Sequence, residues 1–359
     1  MKKFIIFTIF TVILVSFTAE KKEKDKPLNL IIFIGDGMGV DHVYAAMTRS
    51  GFTMTFPAFP VTGFSITSSA NSYITDSAAA ATAMATGERT NNGMIASSPD
   101  GTELTTVMEM AKSKGMSAGV ISTSQITHAT PAGFIAHEGA RSDYFDIAGD
   151  FLTGTADVFI GGGKVHFANR KDSADLTVDL KKKGYDVVYN MEDLRNSTSD
   201  KLAGLMADVA MPSIAAGRDT GFLAAATSKA IEVLSGNPNG FILMVEGSQI
   251  DWAGHDNNLE GIVNETLDMD RAVKVAYEFA KKSGNTLIVV TADHETGGLT
   301  LTVGNIQDKE VAGSFSTKGH TAVMVPVFAY GPGAGAFAGV QQNTELFDDF
   351  VNLLSLKKK

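Results

Sequence analysis

The sequence predicts an α/β fold, a three-layer sandwich with a central, mainly parallel sheet and helices on both faces. Short runs rich in Ile, Val, Phe and Met recur at 30–34, 118–121, 158–160, 241–245, 287–290 and 323–329, each bounded by Gly or polar residues. Between them lie amphipathic or Ala-rich stretches at 76–86, 104–113, 222–234 and 259–282. The strand runs are apolar throughout instead of alternating. That is the pattern of strands buried on both faces by crossover helices.

The first run, Leu30 to Ile34, leads into Gly35-Asp36-Gly37. Thr75-Asp76-Ser77 then opens the strong helix former Ala78 to Ala81, with Thr75 or Asp76 able to cap it. Ser77 falls in the first turn, where free backbone N–H groups and the helix dipole favour an anion. A serine there is ordinarily a capping residue, and its hydroxyl is a poor nucleophile unless something activates it. No Gly-x-Ser-x-Gly elbow is present. The run at 158–160 precedes Gly161-Gly162-Gly163-Lys164, which lacks the spacing and hydroxyl of a P-loop and reads as a turn. In the last helical stretch Leu259, Ile262, Val263, Val273, Ala276 and Ala280 recur at helical spacing.

Parallel α/β sheets carry their ligands at the carboxyl ends of the strands. Here the run at 241–245 ends in Glu246-Gly247, and that at 287–290 ends in Thr291-Ala292-Asp293-His294. With Asp36, three strands deliver a carboxylate to one edge. Each alone would pass for a cap or turn former; their coincidence points to a site. Asp251 and His255, four apart, share a helix face, and His320 follows Lys318-Gly319 just before the strand at 323–329. Imidazole with carboxylate suits zinc, whereas carboxylate with hydroxyl and water suits magnesium. His42, His137 and His166 have no evident partner and are expected in surface or loop positions.

Composition narrows the chemistry. The 359 residues carry no Cys, so disulfides, thiolate metal sites and thiol nucleophiles are excluded and any metal must rest on His, carboxylates and hydroxyls. A net charge of −10 argues against nucleic-acid-specific binding, which needs excess Lys and Arg. Residues 1–19 read as a secretory signal peptide, Lys2-Lys3 followed by an apolar run too short to span a bilayer comfortably. The mature chain is therefore expected in the periplasm or secreted, with residues 27–356 forming one catalytic domain. No repeat period or Pro-rich linker divides it.

Six motifs in order resemble the alkaline phosphatase family, most closely its short bacterial members. They are Ile32 to Gly39, Thr75 to Ala78, Thr127 to Pro131, Val245 to Asp251, Thr291 to Gly298 and Lys318 to Thr321. The resemblance implies a metal-dependent phosphate monoester hydrolase working through a phosphoserine at Ser77, and a homodimer. It implies two zinc ions, one on Asp251, His255 and His320 and one on Asp36, Asp293 and His294, with Ser77 as the second's reactive ligand. It places a magnesium on Asp36, Glu246 and Thr130. Arg141 matches the family's phosphate clamp, its planar fork suited to two oxygens, with Asp76 steadying it. Two positions depart from the best-known bacterial pattern, with His128 standing for Asp and Trp252 for Lys. The first would favour zinc in the third site, the second easier departure of phosphate. The rival readings are a phosphodiesterase or sulfatase on the same scaffold, and a non-catalytic metal- or anion-binding envelope protein.

Overall fold

The computed structural model of the chain describes residues 26–356. The expected signal peptide lies outside the described residues. Among those described, no helix is long and apolar enough to cross a membrane. In chain order the strands begin with β1 (Asn29–Gly35), β2 (Val61–Ile66), β3 (Ser117–Gln125), β4 (Val158–Gly162), β5 (Asp186–Val188), β6 (Leu202–Leu205) and β7 (Phe241–Gly247). They continue with β8 (Thr286–Thr291), β9 (Glu295–Thr296), β10 (Leu299–Asn305), β11 (Glu310–Phe315), β12 (His320–Thr321), β13 (Val325–Tyr330) and β14 (Gly339–Gln342).

Ten strands form one sheet in the order β14-β2-β13-β8-β1-β7-β3-β4-β6-β5. Every pair from β8 through β5 is parallel, as predicted. β13 runs antiparallel to both neighbours. The connection explains this: after β8 the chain stays at the carboxyl edge through β9 to β12, so the next strand must run back. Two small antiparallel pairs, β10 with β11 and β12 with β9, occupy that excursion.

The layers follow from alternation along the central strands. Leu30, Ile32 and Ile34 of β1 face one core, with the helices Ser77–Thr86, Val107–Ser113 and Asn343–Leu353; Ile31 and Phe33 face the other, with Val40–Ser50, Phe222–Leu234 and Leu259–Ser283. All five side chains are fully buried. The Ala-rich helix is buried along its whole length, which is why it carries no amphipathic stripe. Asp76 caps it, its Oδ1 accepting from the Ala79 N–H at 3.0 Å. The helix expected from 104 starts only at Val107, because Thr106 and Glu109 form a reciprocal capping box there.

Candidate active site

Asp36, Glu246, Asp293 and His294 lie at the carboxyl ends of their strands, and Ser77, Asp251, His255 and His320 gather beside them. β1 and β7 pair in register to Gly35 opposite Gly247, which sets Asp36 beside Glu246. β8 delivers Asp293 and His294 from the other side of β1. The helix Gln249–His255 turns Asp251 and His255 onto the same edge. Gly37 makes the close approach possible: at φ +71°, a Cβ there would lie 2.7 Å from Thr296 Oγ1 and 2.9 Å from Asp251 Cα.

Ser77 opens its helix almost fully buried, with its Oγ 3.3 Å from His294 Nε2. The same nitrogen lies 3.4 Å from Asp36 Oδ1 and 3.3 Å from Asp293 Oδ2. Asp251 faces His255 Nε2 at 3.3 Å and His320 Nε2 at 3.6 Å, and those two nitrogens are 3.3 Å apart. Three groups bring ligand atoms within 4.8 Å of one another: Asp36, Asp293 and His294; Asp251, His294 and His320; and Asp36, His128 and Glu246. His294 thus stands in the second group where the sequence predicts His255, although His255 Nε2 itself lies 3.3 Å from both Asp251 and His320 and faces the open rim. His128 joins the third, while the Thr130 hydroxyl lies beside Glu246.

The histidine tautomers follow from their outer partners. His255 Nδ1 meets the Lys318 carbonyl at 2.5 Å and His320 Nδ1 meets the Thr75 carbonyl at 3.0 Å. A carbonyl can only accept, so each Nδ1 carries the proton and the neutral ring leaves Nε2 bare. Thr296 donates its hydroxyl proton to Asp251 Oδ1 and sits 3.2 Å from His294 Nδ1, from which it can then only accept. All three rings present an Nε2 lone pair to one space, the arrangement that outer-shell hydrogen bonds impose on metal ligands.

The carboxylates fit the same role. Both oxygens of Asp36, Asp293 Oδ2 and Glu246 Oε1 are buried without a hydrogen-bond partner. An unpaired buried carboxylate is costly, and the cost disappears if a cation meets it. Burial, then the charges of Asp293, Asp251 and Glu246, raise the Asp36 carboxyl well above its ordinary range. Burial pushes Glu246 up to about 7, against hydrogen bonds from Ser122 and Ser248. Burial would raise Asp251 too, but the His255 hydrogen bond, the His294 charge and the Thr296 hydrogen bond hold it well below the usual carboxylate range. A proton competes for His255, which the Asp251 hydrogen bond pushes up to about 9.

Arg141 stands at the mouth, half-buried. Its Nη1 donates to Asp76 Oδ2 at 3.0 Å, and its Nη2 lies 3.4 Å from His128 Nε2. Asp76 also accepts from the Gly93 N–H at 3.0 Å, so the carboxylate that caps the Ser77 helix also aims the guanidinium. Burial and then the Arg141 charge push His128 down to about 4, leaving a neutral ring. The Trp252 ring meets His128 edge-on, centroids 6.1 Å apart.

Sequence reading missed the supporting shell. Thr296, two residues after His294, bridges it to Asp251; Ser122, paired with Glu246 across β3 and β7, donates to Glu246 Oε2 at 2.5 Å. The expectation of surface or loop histidines holds for His137, which lies in a loop, and fails for His42 and His166, both buried on helices. His42 is fully buried and its Nδ1 accepts from Gly39 N–H at 2.7 Å; His166 is buried against Thr127; His137 pairs with Glu109 at 3.0 Å. Their partners are distant or backbone groups that no local pattern announces.

A family model described as alkaline phosphatase matches residues 27–313. Alkaline phosphatase 3 of Bacillus subtilis is 36% identical over 92% of this chain and 90% of its own. The Escherichia coli alkaline phosphatase is 33% identical over 93% and 87%. Among solved structures, the alkaline phosphatase of the Antarctic bacterium TAB5 superposes with a TM-score of 0.87 at 38% identity, covering 93% of this chain and 99% of that one. A His-to-Asp mutant of that enzyme was solved with magnesium in its M3 site. The chain belongs to the alkaline phosphatase family.

Proposed function

We propose that this phosphatase hydrolyses phosphate monoesters in two steps through a phosphorylated Ser77. The observation that carries the reading is the set of unpaired, buried carboxylate oxygens and bare imidazole nitrogens converging on one serine hydroxyl. Asp36, Asp293 and His294 would hold one zinc ion; Asp251, His255 and His320 a second; Asp36, Glu246 and Thr130 a magnesium, with His128 close enough to alter that preference. Divalent cations bound there supply charge against the phosphoryl oxygens and lower the pKa of the Ser77 hydroxyl.

Arg141 grips two phosphate oxygens with its planar fork, held in aim by Asp76. Ser77 Oγ bonds to phosphorus as the ester P–O bond breaks and the alcohol departs; water then cleaves the phosphoserine. Trp252 leaves no cation on its side of the phosphate, which eases product release. Residues 27–356 act as one catalytic domain, exported by the N-terminal leader to the periplasm or beyond, and the working unit is a homodimer.

Ser77→Ala should lower kcat/KM roughly 10³-fold or more and abolish acid-stable phosphoprotein in quenched reactions. Phosphoprotein persisting in that variant would remove Ser77 as nucleophile. Trp252→Lys should tighten inhibition by inorganic phosphate by about tenfold, the scale of one added charge-assisted hydrogen bond. An unchanged inhibition constant would dispose of the role given to Trp252. Aryl monoester and diester substrates assayed side by side separate this reading from a phosphodiesterase.

A further inference from the structure

His166 is a histidine that the chemistry above does not use. It lies on the short helix Lys164–Ala168, buried, just after the glycine run, which is not the turn expected from the sequence: Gly161 and Gly162 end β4 and Gly163 alone links strand to helix. Its Nδ1 is 2.7 Å from Thr127 Oγ1, the residue before His128. Its ring stacks on Tyr144, with centroids 5.0 Å apart and planes at 18°, and meets Phe145 edge-on at 5.4 Å. Tyr144 and Phe145 open the helix Tyr144–Asp150, three and four residues after Arg141. One side chain therefore touches both the turn that carries His128 and the segment that carries Arg141.

The surroundings reinforce the tie. Ile126 N–H donates to the Gly162 carbonyl at 3.0 Å, seating the His128 turn on the end of β4. Gly163, at φ +92°, comes so close that a Cβ would lie 3.3 Å from His166 Nδ1 and 3.5 Å from Thr127 Oγ1. Arg170 donates to the Phe145 carbonyl and, at 3.2 Å, to the His166 carbonyl, so the helix and the Tyr144 segment are clasped by backbone as well. The Gly161 to Lys164 motif is thus a packing device that brings His166 against Thr127.

We infer that His166 is a positioning residue for phosphate: through Thr127 and Tyr144 it fixes the spacing between His128 and the Arg141 guanidinium. Arg141 Nη2 and His128 Nε2 stand only 3.4 Å apart, so a small shift of either segment changes the direction in which the guanidinium fork points. Positioning groups held by packing and hydrogen bonds set such geometry to fractions of an ångström. The inference rests on Arg141 being the phosphate clamp.

The test measures inorganic phosphate affinity by calorimetry, KM and kcat with an aryl phosphate, and melting temperature. It uses Arg141→Ala, His166→Phe, His166→Ala and the double variant Arg141→Ala/His166→Phe. His166→Phe keeps the ring and its stack but loses the Thr127 hydrogen bond. It should weaken phosphate and raise KM about fivefold, the worth of one buried hydrogen bond, with kcat within about twofold. His166→Ala loses the stack as well and should go further. In the Arg141→Ala background, His166→Phe should change phosphate affinity no further, a non-additivity that a merely structural histidine would not produce. If Arg141→Ala weakens phosphate while both His166 variants lower only the melting temperature, the positioning role falls and the clamp stands. If Arg141→Ala itself leaves phosphate affinity unchanged, the clamp reading fails and takes this inference with it.

Discussion

Two regions of the molecule bury acidic side chains, and they treat them oppositely. Under the loop at 206–220, Glu265 and Asp268 are buried at 5% and 1% exposure, and Arg218 lies between them at 5%. Arg218 Nη2 donates to Glu265 and, at 3.1 Å, to Asp268, its Nη1 donates to the Pro212 carbonyl at 2.9 Å, and Glu265 also accepts from Ile214 N–H at 2.9 Å. Every carboxylate oxygen of that cluster thus meets a donor, Asp268 Oδ1 taking Arg271, although Arg218 Nε is buried without a partner. At the carboxyl edge Asp36, Glu246 and Asp293 are buried as deeply, yet leave oxygens unpaired and face one another with no Lys or Arg of the described residues bonded to them. Burial depth does not distinguish a structural cluster from a functional one; whether every carboxylate oxygen is paired does.

The largest effect should come from opening the closed cluster. Arg218→Met leaves two carboxylates buried side by side, with Arg271 still within reach of Asp268 at 3.1 Å. Removing one partner of a buried ion pair costs about 3–5 kcal/mol. Urea unfolding of the cation-loaded enzyme should show that loss, with kcat of the folded fraction unchanged. Adding Glu265→Gln should recover part of it. A loss under about 1 kcal/mol would mean that the pairing contributes little beyond solvent screening.

The edge cluster should respond with a sign that depends on loading. In protein stripped by a chelator, Asp36→Asn removes one of several buried like charges and should raise stability by about 1–3 kcal/mol. In protein supplied with zinc and magnesium the same substitution should lower both stability and kcat/KM, because Asp36 is shared by two of the three ligand groups. Destabilisation under both conditions would show that the two regions do not differ in kind.

The sequence made the edge legible because its chemistry is local. β1, β7 and β8 are unbroken apolar runs that stop at a carboxylate, so strand and site are read from the same few residues. The two outermost strands at each end of the sheet, β14 and β2 and β6 and β5, went unread: β2 alternates in burial, β14 is largely exposed, and β5 and β6 are three and four residues long. Val323 and Met324, expected to begin β13, are exposed at 54% and 42%, since apolarity alone does not mark where a strand enters a sheet. The closed cluster was invisible for another reason. Arg218 and Glu265 are 47 residues apart, on a loop and a helix, and no periodicity links a lone Arg to carboxylates that far along the chain. The buried histidines were misplaced for the same cause.

The smallest effect sharpens the contrast between two histidine–carboxylate pairs, His255 with Asp251 at the edge and His137 with Glu109 away from it. Burial would lower His137, but the hydrogen bonds it donates to Glu109 and the Ala96 carbonyl, with the Glu109 and Glu103 charges, push it up to about 9. A raised histidine stabilises the fold fully below its unfolded value of about 6.5 and loses that contribution as pH climbs through its folded value. The window is therefore pH 6.5 to 9. Glu138 next door, pushed up to about 7 by burial and the charges of Asp150, Asp146 and Asp143, acts mainly below it. Glu109 is about a third exposed, so screening trims the expected change to about 1–2 kcal/mol. His137→Gln keeps a donor for Glu109 but cannot titrate. The wild-type minus variant difference in unfolding free energy, measured on cation-loaded protein so that His255 is common to both, should shrink between pH 7 and 9. A difference flat across that range would place the His137 proton elsewhere and leave His255 as the pair that makes stability depend on alkaline pH.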